Sequence, residues 1–158
     1  MNDSPIGRFE GPWRFLSNFW PSPVEYSHAT FPTAEHAYQA QKDPSRAHQE
    51  AILACATPGQ AKRVGARAWL RPSWDELRVH VMRDVLNRKF ADRGLALKLL
   101  GTGIRDLVEG NDWGDTFWGV CRGRGENTLG KLLMDLRREM RGIGGKALYP
   151  TYLPRGEV

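Results

Sequence analysis

Pro12, Pro21, Pro23 and Pro32, crowded into the first 32 residues, decide what the start of this chain can become. Proline has no N–H and locks φ, so no helix is expected through residues 8–31. The same stretch carries Phe9, Trp13, Phe15, Phe19, Trp20, Tyr26 and Phe31. Aromatic residues set among prolines predict short strands and turns, residues 24–26 being the clearest strand. From Thr33 the character changes. Thr33 is a good N-cap for a helix over residues 34–42, which Asp43-Pro44 should end. A second helix is predicted over 46–56. A third starts at the Thr57 cap, with Pro58 at its first position, and stops before Arg71-Pro72. Ser73-Trp74-Asp75-Glu76 has the capping-box pattern and should open the longest helix, to about residue 91. A short helix over 95–100 follows. Residues 104–109 and 116–121 read as strands around a turn at 110–114. Asn127 is placed to cap a last helix with Leu129, Leu132, Leu133, Leu136 and Met140 on its inner side. The expected fold is α+β, a mainly helical single domain with a small β-sheet.

The chain has 158 residues, which suits one core. The expected organisation is an extension over residues 1–8, a domain over 9–141 and a loose tail over 142–158. Apolar runs are only a few residues long, so no membrane partner is expected. The first residues lack a basic segment followed by an apolar one, and Cys55 and Cys121 are too few for a disulfide framework. Both observations point to the cytoplasm. The net charge is +5, with 17 arginines against 6 lysines. Arginine grips phosphate with a planar fork, so this balance is compatible with phosphorylated ligands. The basic residues are scattered, and no zinc-finger, basic-zipper or RNA-recognition pattern is present.

The most informative segment runs from Thr33 to Lys42. On a helix, Glu35, Tyr38, Gln39 and Lys42 share one face. That stripe is polar where a core helix would carry leucines, so it either lines a cleft or faces solvent. Glu35 and Lys42 are two turns apart, about 10 Å along the axis, room enough for a sugar between them. Ser17, Asn18 and Phe19 place a hydroxyl and an amide among aromatics, suited either to sugar hydroxyls or to a plain turn. Asp115 ends a turn before Trp118-Gly119, and reads either as an acid in a site or as a turn aspartate beside a core tryptophan. Arg122 and Arg124 lie between glycines ahead of Asn127, where a phosphate can be cradled. The four histidines form no ligand spacing, so no metal is assigned.

In order along the chain stand Leu16-Ser17-Asn18-Phe19, Glu35 to Lys42, Trp74, Met82 and Lys89-Phe90. They are followed by Leu100-Gly101-Thr102-Gly103, Asp115 with Trp118-Gly119, Gly125 to Met134, and Arg137. This ordered set, covering about residues 9–140, resembles the NADAR superfamily of YbiA-like proteins. The resemblance implies an N-glycosidase without a cofactor. Its substrate would be a small phosphorylated riboside whose C1 carries an exocyclic amine, as in the phosphoribosylaminopyrimidines of riboflavin synthesis. Two alternatives stay open: a hydrolase of ADP-ribosylated guanine in nucleic acid, and a non-catalytic ADP-ribose-binding module. On the enzyme reading, Lys42 is the nucleophile, Glu35 the general acid/base, and Asp115 orients a hydroxyl or water. Direct attack by water is the simpler mechanism left open. Ser17 and Asn18 would hold the ribose, with Phe19, Tyr38, Gln39, Gly119 and Asn127 lining the site. Trp74 or Trp118 would stack on the base, while Arg122, Arg124 or Lys131 meets the phosphate.

Overall fold

The structure, a computed structural model, describes residues 4–142. It is α+β and mainly helical, and its residues gather into two compact units. One is residues 18–89. The other joins residues 4–17 to 90–142. The tail expected from residue 142 lies, apart from Gly142 itself, outside the described residues.

In the unit of residues 18–89, β1 (Pro21–Tyr26) and β2 (Ala29–Thr33) form an antiparallel hairpin, with Val24 opposite Phe31. Inward and outward residues alternate along β1, so Val24 and Tyr26 are buried while Pro21 and Pro23 face out. An outward proline on a two-stranded hairpin removes no essential ladder bond, which is why this proline-rich stretch still makes a sheet. The hairpin leads into α1 (Ala34–Ala40), and then come α2 (Arg46–Leu53), α3 (Pro58–Gly65) and α4 (Trp74–Lys89). Both strands and all three other helices of the unit pack against α1. The side chains of Ala34, Ala37 and Ala40 are small enough to let them come close. Every residue of α1 is therefore buried, the polar ones included.

In the other unit, a 3-10 helix (Gly11–Leu16) precedes α5 (Arg93–Gly101) and α6 (Thr128–Met140), and the two α-helices pack together. Leu129, Leu132, Leu133 and Leu136 are buried on α6, as the sequence pattern predicts. β3 (Gly110–Asn111) and β4 (Val120–Cys121) pair in parallel over two residues each. Ile6 is buried and bonded on both sides, its N–H to Asp106 and its carbonyl to Val108. Ordered packing thus begins ahead of residue 9.

Several local expectations need correction. Residues 11–16 are helical after all, because Pro12 sits in the first turn, where a missing N–H is harmless. The helix begun at Thr33 stops at Ala40, since Pro44 disfavours helix just before it. Ser73 does not make a capping box. Its φ of 58° is left-handed, and its backbone carbonyl takes the Glu76 and Leu77 amides. The box forms at Thr57 and Gln60 instead. Asn127 precedes α6 but makes no side-chain cap. Its amide bonds Leu107 and Glu109, which anchors that strand-like segment to the helix start. The strands expected at 104–109 and 116–121 shrink to two residues each, shifted to positions 110–111 and 120–121. The Asp115 carboxylate holds the Phe117 and Trp118 amides, and a donor held in a turn cannot join a ladder.

Candidate active site

Helix α1 carries the polar stripe, and its surroundings decide what each side chain can do. Thr33 caps it, taking the His36 N–H at 3.2 Å. The His36 ring bridges outward, with Nδ1 2.8 Å from the Thr33 hydroxyl and Nε2 3.2 Å from the Cys55 carbonyl. A carbonyl can only accept, so Nε2 holds the proton and the threonine hydroxyl donates to Nδ1. Burial lowers the His36 pKa, which agrees with a neutral ring that ties α1 to the end of α2. His36 is framework.

Glu35 is different. Its amide donates to the Asn18 carbonyl at 3.0 Å, which fixes the start of α1 against the chain entering the hairpin. Its carboxylate accepts from Gln39 Nε2 at 2.8 Å, one turn further along. The side chain is only 7% exposed. Past the end of the helix, Lys42 reaches back with its Nζ 3.4 Å from the Gly65 carbonyl and 5.8 Å from the centre of the Tyr38 ring. Burial pushes the Lys42 ammonium below its ordinary pKa; the Glu35 carboxylate pulls it up again, and the nearby Lys62 pushes it down. Desolvation therefore dominates, and the amine is shifted towards its neutral, nucleophilic form.

Two acceptors nearby are unused. Among the described residues, Asn18 Oδ1 and Gln39 Oε1 are buried without a hydrogen-bond partner, although Asn18 Nδ2 lies 3.3 Å from the Met82 sulfur. Buried acceptors are nearly always bonded, so such exceptions mark a place where strain or a ligand is accommodated. Gly65 shapes the same spot. A Cβ on it would lie 1.9 Å from Gln39 Oε1, so only glycine leaves the Gln39 side chain where it is. One backbone position thus holds Lys42 through its carbonyl and makes room for the Gln39 side chain that bonds Glu35.

The structure brings Glu35, Tyr38, Gln39 and Lys42 together in the unit of residues 18–89. Trp74 is buried and packs on Tyr38, with ring centres 5.5 Å apart. Phe19 is half-buried. In the other unit, Ser17 ends the 3-10 helix, its N–H donating to Arg14. Asp115 Oδ1 is taken up by the Phe117 and Trp118 amides. Trp118 is half-buried, edge-on to Phe117 at 4.9 Å. Gly119 is buried where a Cβ would strike the Glu109 carbonyl, at 2.2 Å. Arg122, Arg124 and Lys131 are exposed, with Cys121 and Arg124 exchanging both backbone bonds around the turn. Sequence reasoning passed over Gly65, Lys62 and Arg71. A glycine inside a helical pattern was the available signal for the first.

The NADAR domain family matches this chain over residues 7–141. The chain belongs to the NADAR family. Among full-length relatives, it is 38% identical over 129 residues to N-glycosidase YbiA of Escherichia coli, covering 79% of this chain and 80% of that protein. It is 37% identical over 139 residues to N-glycosidase Npun_R5314 of Nostoc punctiforme, covering 84% of this chain and 88% of the relative. It is 39% identical over 130 residues to riboflavin biosynthesis protein VVA0006 of Vibrio vulnificus, covering 80% of this chain and 35% of that protein. This NADAR chain therefore spans about a third of the length of the Vibrio protein. The solution structure of Escherichia coli YbiA superposes with a TM-score of 0.78 at 34% identity, covering 90% of this chain and 88% of that one. Among the described residues, no helix is long and apolar enough to cross a membrane.

Proposed function

We propose that this chain, an N-glycosidase like its YbiA relatives, hydrolyses the bond between C1 of a ribose 5-phosphate and the exocyclic amine of an aminopyrimidine. The observation that carries the reading is the weakly bonded Lys42 amine, 3.4 Å from the Gly65 carbonyl and 5.8 Å from the centre of the Tyr38 ring, with Glu35 on the helix just before it. A ribosylamine opens to an imine between C1 and the exocyclic nitrogen. Neutral Lys42 adds to C1, and both of its protons pass by way of Glu35 to the departing nitrogen, one on addition and one as the amine leaves. The amine leaves with its electron pair, and a Lys42–ribose imine remains. Water adds to C1 of that imine, and ribose 5-phosphate departs while the Lys42 amine is restored. One water is consumed and no cofactor is needed. Asn18 Oδ1 and Gln39 Oε1 are acceptors suited to the ribose hydroxyls. A substrate from riboflavin synthesis is supported by the riboflavin-biosynthesis name of the Vibrio relative.

The test has two arms. The protein is incubated with ribosylaminouracil phosphate and, separately, with ADP-ribosylated guanine DNA, with borohydride added to each. Free aminopyrimidine in the first arm, with ribose phosphate found covalently on Lys42 by peptide mass spectrometry, is the expected result. Turnover without any adduct would replace the imine with direct attack by water. Turnover in the second arm alone would move the substrate to nucleic acid.

A further inference from the structure

Residues 51–74 contain no aspartate or glutamate and four cations, Lys62, Arg63, Arg67 and Arg71. It is the longest acid-free run in the chain, and it forms α3 and the loop into α4. The loop is fastened to the reactive lysine itself. The Arg71 N–H donates to the Lys42 carbonyl at 2.8 Å. Arg71 is half-buried, and its Nε is buried without a hydrogen-bond partner among the described residues. A guanidinium N–H in that state lacks the acceptor that buried donors normally have. Lys62 stands one turn before Gly65, whose carbonyl takes the Lys42 amine. The nearby Asp43 is already engaged, because its carboxylate accepts from the Ser45 amide at 2.8 Å. Cations gather here with an acceptor missing.

We propose that Arg71, assisted by Lys62, binds the 5′-phosphate of the substrate. This rests on the reading of Lys42 as the group that attacks C1. The Arg71 N–H is bonded to the carbonyl of the very residue whose amine attacks, so the Arg71 backbone starts one lysine side chain from that amine. The span from C1 to the 5′-phosphorus of a ribose is of that order. Arginine suits a phosphate because its fork matches two oxygens at once. The cations also serve the chemistry. A phosphate dianion beside Lys42 would draw the amine back to ammonium, and the charges of Arg71 and Lys62 oppose that. In this assignment the phosphate is held by the α3–α4 loop; the exposed Arg122, Arg124 and Lys131 have no part in it.

The anchoring bond to Lys42 runs through the Arg71 backbone, so side-chain variants leave it intact. Wild type, Arg71→Ala, Arg71→Lys, Lys62→Ala and the Arg122→Ala/Arg124→Ala pair are assayed on the phosphorylated riboside and on its dephosphorylated counterpart. Arg71→Ala should lower the phosphorylated-to-dephosphorylated ratio of kcat/KM by about 10- to 100-fold, the range for losing a charge-assisted hydrogen bond. The loss should fall mainly on KM. Arg71→Lys should recover part of it, and Lys62→Ala should give a smaller loss. A second measurement needs no turnover. Inorganic phosphate and ribose 5-phosphate are titrated into ¹⁵N-labelled protein while the exposed Trp69 indole, two residues from Arg71, is followed. Shifts that saturate in wild type and vanish in Arg71→Ala support the site. An unchanged ratio in Arg71→Ala and Lys62→Ala, or loss of the ratio in the Arg122→Ala/Arg124→Ala pair instead, overturns it. Should wild type turn over neither riboside, the enzymatic reading falls, and the phosphate titration still decides whether Arg71 binds the anion.

Discussion

Arg137 is buried and Lys42 half-buried, burial lowers the pKa of both, and they are bonded in opposite ways. Arg137, on α6, donates from Nη1 to the Thr102 hydroxyl at 2.7 Å and from Nη2 to the Arg105 carbonyl at 2.9 Å. Both bonds are short and directed, and they tie α6 to the loop after α5. Lys42, just past α1, has three ammonium donors and a single hydrogen bond among the described residues, at 3.4 Å. A charge given strong partners holds a fold together. A charge given weak ones is pushed towards its neutral form, and for an amine that form is the nucleophile. Two desolvated cations thus divide the work, one for the scaffold and one for the chemistry.

The largest expected effect breaks or confirms the second half of that division. Lys42→Met should lower hydrolysis by up to about six orders of magnitude, the scale of losing a nucleophile. It should also make the protein more stable at neutral pH. The folded-state pKa of Lys42 is depressed below its unfolded value, so the folded chain binds fewer protons there, and wild-type stability rises with pH through the window below 10.5. Methionine removes that slope. Thermal unfolding of both proteins between pH 6 and pH 10 measures it. A variant less stable than wild type at pH 7 would mean that Lys42 is a structural cation like Arg137.

Arg137→Met probes the other half. It leaves the buried Thr102 hydroxyl without its arginine and the Arg105 carbonyl without its donor, at a cost of about 3 kcal/mol. Urea unfolding should show that loss, while kcat per folded molecule stays within about twofold at low temperature. A fall in kcat without a fall in stability would reverse the assignment.

How much of this was legible beforehand depends on how local each cause is. Caps at Thr33 and Thr57 and the leucine stripe of α6 are properties of short windows, and the sequence announces them. Glu35, Tyr38 and Gln39 on α1 were legible for the same reason, while Lys42, expected on the same helix, lies past its end. What the stripe faces was not, because burial of α1 requires the hairpin and three helices to close on it. Ser73 and Asn127 mislead for a related reason. Each adopts a left-handed backbone set by tertiary packing, which overrides the capping its residue type prefers. The unused acceptors on Asn18 and Gln39, and the room Gly65 makes, exist only once α3 lies against α1.

Gly65 offers a finer cut between scaffold and chemistry, since it touches both. In Gly65→Ala the new methyl would overlap Gln39 Oε1, so Gln39 must move and its 2.8 Å bond to Glu35 is lost. The expected costs are about 1–3 kcal/mol of stability from overpacking and about tenfold in kcat, within the range for a general acid that is misplaced but still present. Gln39→Ala clears the space, so Gly65→Ala should cost far less in that background, and a double-mutant cycle reads the coupling directly. Additive losses would mean that Gly65 does not act through Gln39.

The smallest effect tests whether weak bonding of a buried charge always signals chemistry. Asp84, on α4, is 2% exposed, and neither carboxylate oxygen has a hydrogen-bond partner among the described residues. Burial pushes its pKa from 3.8 up to about 6, against the pull of Arg88, His80 and Arg83. A raised folded-state pKa means that the folded chain holds the proton more tightly. The stability this contributes is fully present below 3.8 and is lost as pH rises through 6. Asp84→Asn should therefore flatten the stability profile between pH 4 and pH 6 and raise stability at pH 8. The gain should be about 1 kcal/mol, because the amide that replaces the carboxylate is itself buried and poorly bonded. If activity is unchanged, under-bonding marks a functional charge only where reacting groups converge, as they do around Lys42. If activity falls, α4 contributes an acid to the reaction, and the division between scaffold and chemistry runs through α4 as well.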